Sequence, residues 1–159
     1  MKMAVRYLES QGFQILHSGT FLKEWIPPAG NLARRGPNLE EQEDIRYGVP
    51  IARQMARLGI GQTVVIRRKA VVAVEAIEGT DAAIRRAGQV AGPGCVVIKA
   101  LEPDHDMRFD IPVVGVDTLR AIREAGASCL AVEAGRTLLF NLPEVVSEAD
   151  AAGIALVAV

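Results

Sequence analysis

Aromatic side chains are scarce, at 4% of 159 residues. A core must therefore come from Val, Ile, Leu and Ala, and with 50% apolar residues there is enough to build one. Cysteine is nearly absent. The two present, Cys95 and Cys129, each lie in an apolar, strand-like run. They read as buried, reduced thiols rather than a disulfide framework, which fits a reducing cytoplasm. No apolar run approaches the roughly 18 residues needed to span a bilayer. Lys2 is followed by no apolar stretch or cleavage site of the secretory kind. The formal net charge of -1 carries no basic excess, so no nucleic-acid partner is expected. There is no G-x-G-x-x-G and no G-x-x-x-x-G-K-[ST], which argues against a Rossmann fold and against a P-loop. His105 has no second His or Cys at metal spacing, so no zinc site is expected.

What is there reads as one α/β domain of ordinary size. Residues 3–11 have the spacing of an amphipathic helix that begins almost at Met1. A domain that opens inside an element suggests one half of a larger protein. Phe13 to Leu16 read as a short strand, and Phe21, Leu22, Trp25 and Ile26 have helical spacing. A loop over 31–37 carries Arg34-Arg35. A long helix follows over 39–58, with acidic first turns and Pro50 inside it. Strands are expected over 63–67, 70–77, 95–101, 128–133, 137–140 and 154–159. Helices are expected over 81–90, 117–125 and 143–152. The alternation predicts a mixed β-sheet flanked by helices. Two β-hairpins are expected, one across Arg68-Lys69 and one across Gly135-Arg136.

The chain is organised around Val71 to Arg86. An apolar strand breaks at Glu78-Gly79 and restarts as a helix, with Thr80 or Asp81 as the expected N-cap. That grammar places chemistry at the carboxyl end of a sheet. Glu75, Glu78 and Asp81 fall there. Glu75 is the odd one, because a charge in an apolar strand is costly unless paired or metal-bound. The plainer alternative is that Glu78 and Asp81 only cap and solvate a turn.

A second cluster gathers Lys99, Glu102, Asp104, His105, Asp106, Arg108 and Asp110 at the end of a strand. Mg2+ takes one or two carboxylates plus phosphate oxygens, and Arg and Lys suit the phosphate itself. In an extended segment Asp106, Arg108 and Asp110 would share a face. A solvated charged loop is the alternative. Glu133 and Arg136 repeat the strand–carboxylate–glycine-turn grammar, and could simply pair with each other. Arg34-Arg35 form a basic loop held by Pro37. Gln62, at a strand start, could hydrogen-bond a base or a sugar.

Six segments occur in a recognisable order: Arg34-Arg35-x-Pro37, Asp44-Ile45-Arg46-x-Gly48, Gly61-Gln62-Thr63-Val64-Val65, Ala73-Val74-Glu75-Ala76-Ile77-Glu78-Gly79-Thr80-Asp81, Asp106-x-Arg108-x-Asp110-x-Pro112-x-x-Gly115 and Val132-Glu133-Ala134-Gly135-Arg136-Thr137. Together they resemble the C-terminal domain of the LpxI-type UDP-2,3-diacylglucosamine pyrophosphatases of lipid A biosynthesis, over essentially all of the chain. The resemblance implies Mg2+-dependent hydrolysis of UDP-2,3-diacylglucosamine to UMP and 2,3-diacylglucosamine 1-phosphate (lipid X), with attack on the lipid-side phosphorus. It implies a homodimer that is cytoplasmic and peripheral to the inner membrane, and an N-terminal domain that this sequence lacks. It places catalysis on Asp106 and Asp110 first and on Asp81 second. Asp106, Asp110 and Glu78 are the expected metal ligands. Gln62, Thr80, Lys99, Arg108, Glu133, Arg136, Arg34 and Arg35 are the expected substrate contacts. Two positions depart from the family pattern: His105 stands where Gln is usual, and Arg68-Lys69 replaces an Asp-Gly or Asn-Gly turn.

The residues point the same way without the resemblance. Carboxylates with Lys99, Arg108 and Arg136 at strand ends suit a metal bridging a diphosphate, with a carboxylate orienting or deprotonating water. No Ser, Cys or His has the neighbours of a covalent nucleophile, so direct hydrolysis is expected. An isolated module that binds lipid or nucleotide-sugar without turnover is the alternative, as is a dimerising domain.

Overall fold

Short apolar strands make the sheet, and helices close both of its faces. The computed structural model describes residues 2–108 and 111–159. Helix α1 (Lys2–Ser10) is followed by a single 3-10 turn at Lys23–Trp25, by β1 (Gly30–Asn31) and by α2 (Leu39–Arg57). Then come β2 (Thr63–Arg67), β3 (Ala70–Val74), α3 (Thr80–Ala91), β4 (Val96–Lys99) and β5 (Val113–Val114). The chain ends with α4 (Val116–Glu124), β6 (Cys129–Val132), β7 (Leu138–Leu139), α5 (Leu142–Ala152) and β8 (Ala155–Ala158). Six strands form one sheet in the order β1-β8-β6-β4-β2-β3. Strands β4, β6 and β8 run parallel, while β2, β3 and β1 are antiparallel to their neighbours. This is the mixed α/β sheet that the alternation of elements predicts.

Strands β4, β6 and β8 are buried along their whole length, as central parallel strands covered on both faces must be. Val64, Ile66, Val96, Ile98, Cys129 and Ala131 pack with Ile45, Ala52 and Met55 of α2. Val65, Val97, Leu130, Val132 and Leu156 pack on the other face, with Ile84, Leu119, Ile122 and Val145 of α3, α4 and α5. Cys95 belongs to this second core and Cys129 to the first, and both are free thiols. A Cβ on Gly48 would stand 2.2 Å from Ile98 Cδ1 and 2.7 Å from Ile66 Cγ1. Glycine at that position sets how closely α2 rests on the sheet. The helix begins with a capping box, in which Asn38 Oδ1 accepts the Glu41 N–H and the Glu41 carboxylate accepts the Asn38 N–H. It continues through exposed Pro50 to Arg57.

Several expectations need correction. Residues 13–16 form no strand, and Phe13 and Leu16 are exposed with no partner strand beside them. The helical spacing at 21–26 yields only the one 3-10 turn. Only one of the two expected hairpins forms, β2–β3. Strand β7 does not fold back on β6; it pairs in parallel with β5 in a separate two-stranded sheet. Strand β6 already pairs in parallel with β4 on one edge and β8 on the other, so no edge is left on which a hairpin could grow. Finally, β3 stops at Val74, which leaves Glu75 just beyond the strand.

Candidate functional site

Strand register gathers the candidate residues at one end of the sheet. Val74 pairs with Val64, Thr63 with Lys99, and Lys99 with Val132. The end of β3, the start of β2 and the ends of β4 and β6 therefore meet. Alternation then splits the polar residues between the two faces. Lys99 points to the α3 side, and Glu133, the residue after Val132, meets α2.

On the α3 side, Lys99 is buried and its Nζ donates to Thr80 Oγ1 at 2.9 Å. An ammonium has only donors, so the hydroxyl oxygen accepts. The Thr80 proton then goes to Glu75 Oε1, 2.7 Å away. Glu75 Oε2 accepts the Gln62 backbone N–H at 3.3 Å, and the Thr63 hydroxyl lies 3.4 Å from that of Thr80. Burial pushes the Glu75 carboxyl up. The Lys99 charge and the hydrogen bonds from Thr63, Thr80 and Gln62 outweigh it and hold the group below the ordinary carboxylate value. Thr80 is thus committed to Glu75 and Lys99 instead of capping α3. The N-cap is Gly79, at φ 83°, with no side-chain cap. Asp81, in the first turn of α3, accepts from the Thr118 hydroxyl of α4 at 3.1 Å.

On the α2 side, Glu133 is 2% exposed and accepts from three groups. Its Oε1 takes Arg53 Nε of α2 at 2.7 Å. Its Oε2 takes the Leu101 N–H at 3.0 Å and Arg136 Nη1 at 3.3 Å. Arg136 Nη2 donates in turn to the carbonyls of Glu102 at 2.8 Å and Pro103 at 3.2 Å. The pairing of Glu133 with Arg136 allowed for in the sequence is present. Arg53 was missed, because it lies 80 positions away on a helix whose period marks it only as half-buried.

The segment after β4 carries Asp106 and Arg108. Asp106 Oδ1 accepts Arg108 Nε at 2.9 Å and its backbone N–H at 3.1 Å, and Oδ2 accepts Nη2 at 2.7 Å. Arg108 Nη1 also meets Glu9 of α1 at 2.9 Å. Ser18 donates its N–H to the Met107 carbonyl at 3.0 Å and its hydroxyl to the Arg108 carbonyl at 3.1 Å. The segment is therefore held from both sides, by Arg136 at its root and by α1 and Ser18 further along. Beside it, His17, Gly19, Thr20, Lys23, Ile26 and Gly135 line a cleft of about 450 Å³. Asp110 lies outside the described residues.

Other expected site residues stand elsewhere. Arg35 sits at the opposite end of the sheet, bidentate to Glu41 at 2.6 and 2.8 Å and donating to the carbonyls of Ser128 and Gly153. Arg34 is exposed there and pairs with Asp150 at 3.3 Å. The structure does not bring either arginine to Lys99 or Asp106. Glu78 pairs with Arg86 at 2.6 Å, and that hydrogen bond holds its carboxyl below the ordinary range. Among the described residues no three His, Cys, Asp or Glu side chains gather as a metal site.

Two comparisons bear on this arrangement. A family model described as the LpxI C-terminal domain matches residues 28–157. The UDP-2,3-diacylglucosamine pyrophosphatase LpxI of Caulobacter vibrioides is 35% identical over 154 residues, which take in 92% of this chain and 55% of that protein. The chain thus spans about half the length of the curated relative it matches.

Proposed function

This chain belongs to the LpxI C-terminal domain family, and from that premise we propose that it carries the catalytic residues of a hydrolase acting on the pyrophosphate of UDP-2,3-diacylglucosamine. The products are UMP and 2,3-diacylglucosamine 1-phosphate. The observation that carries this reading is the meeting, at one end of the sheet, of Lys99, Glu133 with Arg136, and the root of the segment bearing Asp106 and Arg108. The relative's printed activity supports it.

In this reading Lys99 and Arg108 meet the diphosphate oxygens and offset the charge that develops on the phosphoryl group. Asp106 orients water and takes its proton as the new P–O bond forms and the bond to the bridging oxygen breaks. Asp110 is proposed as a second carboxylate on the same segment. Mg2+ suits this chemistry because it takes one or two carboxylates and fills its shell with phosphate oxygens and water. Asp106 is the described carboxylate that would meet it. The ion would supply charge neutralisation on the diphosphate. Glu78 and Asp81 are not brought to Asp106 by any described contact, so we give them no ligand role.

Among the described residues no helix is long and apolar enough to cross a membrane. Peripheral contact with the inner membrane is proposed because the substrate carries two acyl chains. The exposed Met3, Tyr7, Phe13, Leu16 and Phe21 offer apolar surface for it. A homodimer is proposed from the family resemblance.

The test is hydrolysis of UDP-2,3-diacylglucosamine by the intact protein with and without Mg2+, following UMP and lipid X release. Binding of the substrate without release of either product would sink the hydrolase reading in favour of a binding module.

A further inference from the structure

Building on the hydrolase reading, we propose that Arg53, Glu133 and Arg136 form a brace that positions the Asp106 segment, with Arg136 a positioning residue rather than a phosphate contact. The chain of contacts is continuous. Helix α2 holds Arg53, Arg53 Nε holds Glu133 Oε1, and Glu133 Oε2 holds both the Leu101 N–H and Arg136 Nη1. Arg136 Nη2 then grips the Glu102 and Pro103 carbonyls, the first two residues of the charged segment that leads to Asp106.

Three physical points favour positioning over substrate contact. Glu133 has a side-chain exposure of 3%, so its charge is buried and must be compensated from within. Arg53 and Arg136 supply two guanidinium groups to that one carboxylate, which is more compensation than a single turn ion pair needs. Arg136 uses separate nitrogens for the carboxylate and for the two carbonyls, a division that the planar guanidinium fork permits and an ammonium does not. A small shift of a general base far from the point of mutation is enough to cost about 100-fold in rate.

The test has two arms on the intact protein, run with wild type, Glu133→Gln, Glu133→Asp, Arg136→Lys and Arg53→Met. Hydrogen exchange is read first. Glu133→Gln, Arg136→Lys and Arg53→Met should each raise exchange across residues 101–108, with Glu133→Gln largest, while exchange in β8 stays unchanged. The second arm is steady-state hydrolysis of UDP-2,3-diacylglucosamine. Arg136→Lys keeps the positive charge but loses the fork. Positioning predicts a fall in kcat of about 10- to 100-fold with little change in KM. A phosphate contact predicts the opposite split, a raised KM with kcat largely kept. Glu133→Asp, which keeps the charge, should recover part of the kcat that Glu133→Gln loses. Unchanged exchange at 101–108 in Glu133→Gln overturns the brace, and so does a KM-only effect in Arg136→Lys. If the wild-type protein proves inactive, the hydrolase reading fails and the exchange arm alone decides whether the brace exists.

Discussion

The Asp44 carboxylate of α2 accepts the backbone N–H groups of both Arg68 and Lys69, at 2.9 and 2.6 Å. Those two residues form the β2–β3 turn, and both have positive φ, 50° and 58°. A two-residue hairpin with φ positive at both positions normally uses Asn-Gly or Asp-Gly. Here a buried acid from another element holds two side-chain-bearing residues in that conformation. Hydrogen bonds to a charged partner are worth roughly 1.5–3 kcal/mol each. Asp44→Ala should therefore destabilise the protein by about 3 kcal/mol. Lys69→Gly should recover about 1 kcal/mol of that loss, because glycine has no left-handed penalty. Chemical denaturation of the two single variants and the double variant measures both. A loss below about 1 kcal/mol in Asp44→Ala would show that the turn holds itself.

That turn also shows how far the sequence could be read. Continuous apolar runs within 63–67 and 95–101 were enough to place β2 and β4, and the glycine break after Ile77 placed the start of α3. Register then brought Lys99 level with Thr63 and Val132. The partners were not legible. Asp44 reaches across 24 positions to the turn, and Arg53 across 80 to Glu133. Local pattern carries no signal for a contact that depends on which helix covers which face. The strand at 137–140 was seen, but its partner was misjudged, because a tight glycine turn reads as a hairpin whether or not the neighbouring edge is already occupied by β8.

Glu41 makes stability depend on pH. Burial pushes its carboxyl up. Hydrogen bonds from Arg35, the Ser128 hydroxyl and the Asn38 N–H outweigh that and hold it below the ordinary value of 4.5. A depressed folded-state pKa contributes stability that is fully present above the unfolded value and is lost as pH falls through the folded one. Glu41→Gln should thus cost stability near neutral pH, and the gap to wild type should close below about pH 4.5. Breaking a fully buried pair costs roughly 3–5 kcal/mol, and the partial exposure of Arg35 lowers the expected loss to about 2 kcal/mol. Denaturation midpoints across the acid range would check this. A gap that stays constant through the acid range would remove Glu41 as the titrating group.

Both thiols should be inert in the folded protein. Burial pushes Cys129 up to about 12 and also raises Cys95. The thiolate is the reactive form, so alkylation at mildly alkaline pH should be slow until denaturant is added. Cys129→Ala should cost about 1 kcal/mol, and Cys129→Ser more, because it buries a hydroxyl in an apolar core. Neither change should alter turnover per folded molecule. Labelling of the native protein at the unfolded rate would refute the buried assignment.

Asp106 and Arg108 should separate catalysis from binding. Asp106 is expected to act on water chiefly in the transition state, so Asp106→Asn should lower single-turnover hydrolysis by about 10²–10⁴-fold. Binding of UDP-2,3-diacylglucosamine should hold or tighten. The substitution removes an anion near a diphosphate and takes from Arg108 the carboxylate that now occupies its Nε and Nη2. Arg108→Ala should weaken binding and slow turnover together, because a phosphate partner is lost in the ground state as well. Asp110→Asn, tested beside it, asks whether the second carboxylate shares the role. Single-turnover rates and equilibrium binding, both with Mg2+, read the two effects separately. Near wild-type hydrolysis in both Asp106→Asn and Asp110→Asn would move the catalytic carboxylate to Asp81, which Thr118 already holds at the start of α3.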